Sequence, residues 1–138
     1  MFHFPSIFQT SLLSTILGFL ISQSLSYLPH PLAFYLLSLS LFHLFEHLLT
    51  ALHNPLDADV DSFLINHSKE YTIAHMIALM EFMFLNRSAN LKTLGVVVTL
   101  LGFLIRAIAI HTAGPNFNHQ VQETRKQGHR LVKDGIYK

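Results

Sequence analysis

Residues 7–28, IFQTSLLSTILGFLISQSLSYL, and residues 32–52, LAFYLLSLSLFHLFEHLLTAL, decide the fold. Each is as long as the roughly 20 apolar residues that a helix rising about 1.5 Å per residue needs to cross a bilayer core. No Asp, Glu, Lys or Arg occurs in residues 1–45, and Glu46 is the only such charge before Asp57. Between the runs stand Pro29 and Pro31, which end one helix and suit the first turn of the next, so an antiparallel helical hairpin is expected.

Two further windows follow. Residues 91–112 are apolar apart from Lys92 and Arg106, and residues 71–85 form a shorter run that holds His75 and Glu81. Over all 138 residues, 51% are hydrophobic and 12% charged, about half the charged share of a soluble domain. So little polar surface excludes a soluble globule. The expected fold is an all-α integral membrane protein with about four transmembrane helices (7–28, 32–52, 71–85 and 91–112) and a polar tail, 113–138. The first run lacks a basic leader and has too long an apolar core for a cleaved signal peptide, so it reads as a retained helix.

Charge and cysteine content remove other classes. The chain has no Cys, which excludes disulfide frameworks and thiolate chemistry, and its net charge of +1 gives no basic stripe for nucleic acid. With four spans, Lys69, Arg125, Lys126, Arg130, Lys133 and Lys138 share one side, against Arg87 and Lys92 on the other. The cationic excess places the tail in the cytosol.

Ionisable groups inside apolar windows are costly and face the bundle interior. Glu46 and Glu81 are therefore expected either to bond between helices to Ser, Thr or His or to line a polar path. Arg106, near the end of its window, is expected to snorkel to the interface. Ser14, Ser22, Ser24, Ser26, Ser38 and Ser40 read as small packing residues. His43-Leu-Phe-Glu46-His47 matches the H-x-x-E-H spacing of an inverted zinc protease. It has no third ligand in view and sits mid-membrane, so chance explains it better in a chain with ten histidines. No metal site is expected.

The tail is the informative part. Thr112-Ala-Gly-Pro-Asn-Phe-Asn-His119 matches T-A-G-x-N-F-x-H, and His129-Arg-Leu-Val132-Lys-Asp-Gly135-Ile-Tyr137 matches H-x-L-V-x-x-G-h-Y. Upstream stand Phe42-His43-x-x-Glu46 with Thr50-Ala51, and residues 61–68 with Glu70-Tyr71. From about Leu41 to Lys138 the chain resembles the isoprenylcysteine carboxyl methyltransferases, which methylate the prenylated C-terminal cysteine of CaaX proteins. The resemblance implies S-adenosyl-L-methionine as cofactor, with Gln122, His129, Arg130, Leu131, Val132 and Tyr137 as its contacts. It also implies an endoplasmic reticulum membrane and prenylated CaaX C-termini as partners, and it names no catalytic residue here. The family's Arg-His-Pro-x-Tyr motif and later helices are not in these 138 residues. The chain is thus expected to be the N-terminal portion of a fungal-type member, inactive by itself, with roughly residues 116–138 sampling several arrangements. The competing expectation is a non-catalytic four-helix membrane protein, a regulatory or degenerate paralogue. A small transporter built on Glu46 and Glu81 ranks behind both.

Overall fold

The computed structural model describes residues 4–28, 30–65, 68–84, 89–119 and 130–138. All regular structure among them is helical: α1 (Phe4–Ser26), α2 (Pro31–His53), α3 (Lys69–Phe84) and α4 (Ala89–Ala113). Short 3-10 turns lie at Asp61–Phe63, Gly114–Asn116 and Gly135–Tyr137. Among the described residues three stretches are long and apolar enough to cross a membrane: Ser6–Ser26, Pro31–His53 and Leu91–Asn116. At 16 residues α3 reaches about 24 Å, short of a hydrocarbon core of about 30 Å.

The hairpin forms as Pro31 dictates. His30 is extended (φ −61°, ψ 130°), and its Nδ1 accepts the Leu32 N–H at 3.3 Å, satisfying one orphan donor of α2. Pro29 lies outside the described residues. α1 packs along α2, with Leu17 and Ser24 buried on one side and Ala33 and Ser40 on the other. Of the serines expected between helices, Ser24 and Ser40 are buried, whereas Ser22 and Ser26 are exposed on α1. Ser26 bonds its own helix instead, its hydroxyl donating to the Ser22 carbonyl at 3.2 Å. Large apolar side chains such as Phe8, Phe19, Leu52 and Val98 face outward, the surface that lipid covers in a spanning bundle.

α3 is attached differently. It buries no side chain and meets α2 through polar bonds: Tyr35 Oη to His75 Nδ1 at 2.5 Å and Tyr71 Oη to His43 Nε2 at 3.3 Å. At its start the Ser68 hydroxyl accepts the Tyr71 N–H at 3.1 Å. The backbone N–H of Glu70 and then the Ser68 hydroxyl hold the Glu70 carboxyl below its usual range. Glu81 sits on the exposed side of α3.

Candidate functional site

α2 is the hub of the polar structure. At about 100° per residue, His43, Glu46, His47, Thr50 and Asn54 occupy one sector of the helix roughly 100° wide. The His edge holds the turn at 59–63. Asp59 accepts the N–H groups of Asp61 and Ser62 on Oδ1 at 2.9 and 3.3 Å and the Ser62 hydroxyl on its carbonyl at 2.6 Å. That leaves the Ser62 oxygen to accept from His47 Nδ1 at 2.6 Å, and the Phe63 carbonyl accepts from His43 Nδ1 at 2.7 Å. Phe63, fully buried, stacks on the His47 ring at 4.0 Å. The members of the H-x-x-E-H pattern therefore diverge: both histidines serve this turn, and Glu46 faces α4.

Arg106 does not run to the interface. It donates from Nε and Nη2 to the two carboxylate oxygens of Glu46, at 2.6 and 2.9 Å. Snorkelling was the expectation because Arg106 lies less than two turns from the end of its window. The correction follows from Glu46, which is 2% exposed and stands opposite on α2. A buried carboxylate draws in the nearest cation, and a guanidinium binds it with two bonds at once. Glu46 thus bonds an arginine where Ser, Thr or His is expected, and His119 stands 3.6 Å away.

Residues 114–119 wrap over this pair. Gly114 has φ +51°, a left-handed conformation that glycine takes at low cost, and it turns the chain back towards α2. The Phe117 ring then covers the Arg106 guanidinium at 5.5 Å, and the Phe117 carbonyl accepts from Asn54 Nδ2 at 2.5 Å. The Thr50 hydroxyl donates to the Glu46 carbonyl at 2.8 Å, so its free lone pair accepts from His119 Nε2, also at 2.8 Å. His119 Nδ1 lies 3.6 Å from Glu46 Oε2. Glu46, Thr50 and Asn54, one turn apart along α2, thus receive Arg106, His119 and Phe117 in order. Beside the pair a cleft of about 310 Å³ opens between α2 and α4, walled by Phe42, Phe45, Leu49, Phe103 and Leu104.

The sequence-predicted cofactor residues divide in two. Gln122 and His129 fall outside the described residues. Arg130, Leu131, Val132 and Tyr137 lie in one segment against the end of α4. The Arg130 N–H donates to Asn116 Oδ1 at 2.9 Å, and Tyr137 Oη donates to the Ala109 carbonyl at 3.2 Å. Gly135, at φ +58°, approaches Thr112 so closely that a Cβ there would lie 2.9 Å from the Thr112 methyl. Where a loosely arranged tail is expected, residues 116–119 and 130–138 carry defined contacts to α2 and α4. Leu131 is 79% and Tyr137 46% exposed, so the segment turns an apolar and an aromatic side chain outward. Sequence reasoning missed the joining of Glu46, Arg106 and His119. Its signal was present: an acid and a base set well inside two apolar windows favour each other as partners.

Comparison with known proteins bears on this arrangement. Residues 93–138 match the family model of the isoprenylcysteine carboxyl methyltransferase (ICMT) family. The chain is 38% identical to the human protein-S-isoprenylcysteine O-methyltransferase, the alignment covering 96% of this chain and 51% of that protein. It is 40% identical to the Saccharomyces cerevisiae enzyme of the same name, over 75% of this chain and 48% of that one. Its fold overlays on a solved structure of the eukaryotic intramembrane Ras methyltransferase ICMT with a TM-score of 0.81 and 32% identity, covering 98% of this chain and 53% of that one. The chain spans about half the length of the curated relatives it matches.

Proposed function

For a chain that, over the residues it spans, belongs to the isoprenylcysteine carboxyl methyltransferase family, we propose the activity of a protein-S-isoprenylcysteine O-methyltransferase. The observation that carries this reading is the overlay of 98% of the chain on a solved member. The reaction is transfer of a methyl group from S-adenosyl-L-methionine to the carboxylate of a prenylated C-terminal cysteine. That carboxylate, with an ordinary pKa of about 3.5, is ionised at neutral pH and needs no general base. The chain's task is to bring two reactants together in line, which by itself supplies a large share of rate enhancement.

Arg130, Leu131, Val132 and Tyr137 suit the cofactor by chemistry. The guanidinium of Arg130 matches an amino-acid carboxylate, Leu131 and Val132 give an apolar wall for a flat base, and the Tyr137 ring gives a stacking face. Gln122 and His129 complete the set we assign. The cofactor supplies an activated methyl on sulfonium. The protein's residues hold it beside the end of α4, and the prenyl chain arrives through the bilayer.

In this reading residues 1–112 form a transmembrane region of four spans, with α3 as the fourth, and residues 113–138 begin the cofactor-binding region. The tail faces the cytosol, the membrane is that of the endoplasmic reticulum, and the protein partners are prenylated CaaX C-termini. Residues 1–138 alone are expected to transfer no methyl group, since they span about half the length of the relatives and so only part of the architecture the assignment rests on.

The test grafts residues 1–138 into the yeast relative in place of the stretch they match. Transfer of labelled methyl to a farnesylcysteine analogue is measured in membranes. The graft should be active, and residues 1–138 alone inactive. A graft that inserts at normal levels yet transfers nothing would overturn the assignment and favour the non-catalytic paralogue.

A further inference from the structure

Two parts of the molecule meet at His119. One is the charge pair Glu46–Arg106, deep between α2 and α4. The other is the segment 130–137, assigned above to the cofactor. Residues 116–119 touch both. His119 bonds Thr50 at 2.8 Å and stands beside Glu46, Phe117 is fixed by Asn54 and Arg106, and Asn116 Oδ1 takes the Arg130 N–H at 2.9 Å. At its other end the segment is held independently of this chain of bonds, by Tyr137 Oη on the Ala109 carbonyl and by Gly135 against Thr112.

We propose that His119 is a positioning residue for the cofactor segment: bonded to Thr50 beside Glu46 on α2, it holds the far end of residues 116–119, and through Asn116 it steadies where Arg130–Val132 sit. The Glu46–Arg106 pair forms the floor of this contact. Its carboxylate lies under the His119 ring, and its guanidinium lies under Phe117. A polar group one or two turns inside the membrane region thereby governs a segment at the end of the bundle. The segment's two anchors make the prediction directional. Residues 116–117 keep two other holds, Asn116 Nδ2 on the Ala113 carbonyl at 3.2 Å and Asn54 on the Phe117 carbonyl, so loss of His119 loosens the Arg130 end without releasing it and leaves the Tyr137 end docked. The idea rests on the cofactor assignment above only for its kinetic consequence, since the positioning itself is structural and is read without cofactor.

The test compares His119→Ala and His119→Gln with the parent, because neither substitution disturbs the Glu46–Arg106 bonds. Residue-resolved hydrogen exchange on the full 138-residue chain in lipid nanodiscs is the first readout. In His119→Ala, exchange should rise at Phe117 and at Arg130, while Tyr137 and the α1–α2 hairpin keep their protection. His119→Gln, whose amide can still donate to Thr50, should restore most of it. The second readout is kinetic, in the yeast graft. His119→Ala should raise KM for S-adenosyl-L-methionine about ten- to a hundredfold, the scale of a displaced binding group. KM for the farnesylcysteine analogue should stay within about twofold. Unchanged exchange at Arg130 in His119→Ala overturns the proposal, and so does loss of protection throughout α1, α2 and Tyr137, which would make His119 a general structural residue. A graft inactive even with His119 intact refutes the activity, and the exchange data then still decide the positioning role.

Discussion

Substituting Arg106 by leucine removes both bonds to Glu46 and leaves a carboxylate that is 2% exposed. Breaking a buried ion pair from one side costs about 3–5 kcal/mol, because the remaining charge is not hydrated and here is left with His119, 3.6 Å away, as a neighbour. Substituting Glu46 by leucine removes the same two bonds, yet the stranded partner differs. Arg106 stands less than two turns from the end of its apolar window, so its stem can lie along α4 while the guanidinium reaches the interface. That escape brings the cost to about 1–2 kcal/mol. Making both substitutions replaces a buried pair by apolar side chains, which is often neutral. The expected order of damage is therefore Arg106→Leu, then Glu46→Leu, with the double variant near the parent. Titrating SDS into mixed micelles and following helicity gives the three stabilities in one assay. If Glu46→Leu is as damaging as Arg106→Leu, or if the double variant is no better than Arg106→Leu, the argument from unequal burial fails.

Three other outcomes follow from the contacts. Tyr35→Phe and Tyr71→Phe each remove one of the polar bonds that hold α3 to α2, at about 0.5–1.5 kcal/mol apiece, and should speed proteolysis within residues 69–84 while sparing α1 and α2. Gly135→Ala meets both a positive φ, worth about 1–2 kcal/mol, and the Thr112 methyl at 2.9 Å. It should undock residues 135–137, with only partial relief from an added Thr112→Ser; full protection of the Tyr137 amide in Gly135→Ala would refute this. The chain has no cysteine, so single Cys substitutions at Asp57, Lys92 and Lys138 can be labelled from either face of sealed vesicles. Four spans put positions 57 and 138 on one face and 92 on the other, whereas an α3 that does not cross puts 57 with 92.

The helices were legible because their cause is local. Runs of about 20 apolar residues have one stable form in lipid, and Pro31 marks the first turn of α2 without reference to anything distant. The short α3 was also the weakest window in the sequence, and for the same reason: too few apolar residues stand between Lys69 and Phe84. The site was legible as residues and illegible as partners. Thr50, Glu46 and the 112–119 motif were each visible, but their contacts span 60 to 69 residues of chain, and no local pattern fixes which polar group answers which.

Even so, α2 carried a usable signal. An apolar helix in lipid has no reason to place Glu46, Thr50 and Asn54 at successive turns of one face unless polar partners are stacked against that face. Three such positions demand about three partners within two turns. The chain elsewhere offers few candidates near the same end of the bundle: Arg106, and the polar residues just after Ala113. Working from the demand side, the stripe on α2 calls for α4 and residues 114–119 to pack there. Reading Arg106 by its own position alone sends it to the interface, while reading it from Glu46 brings it inward. In a chain with so few charges, the buried partner has no alternative and the exposed one does, so the buried residue decides the pairing.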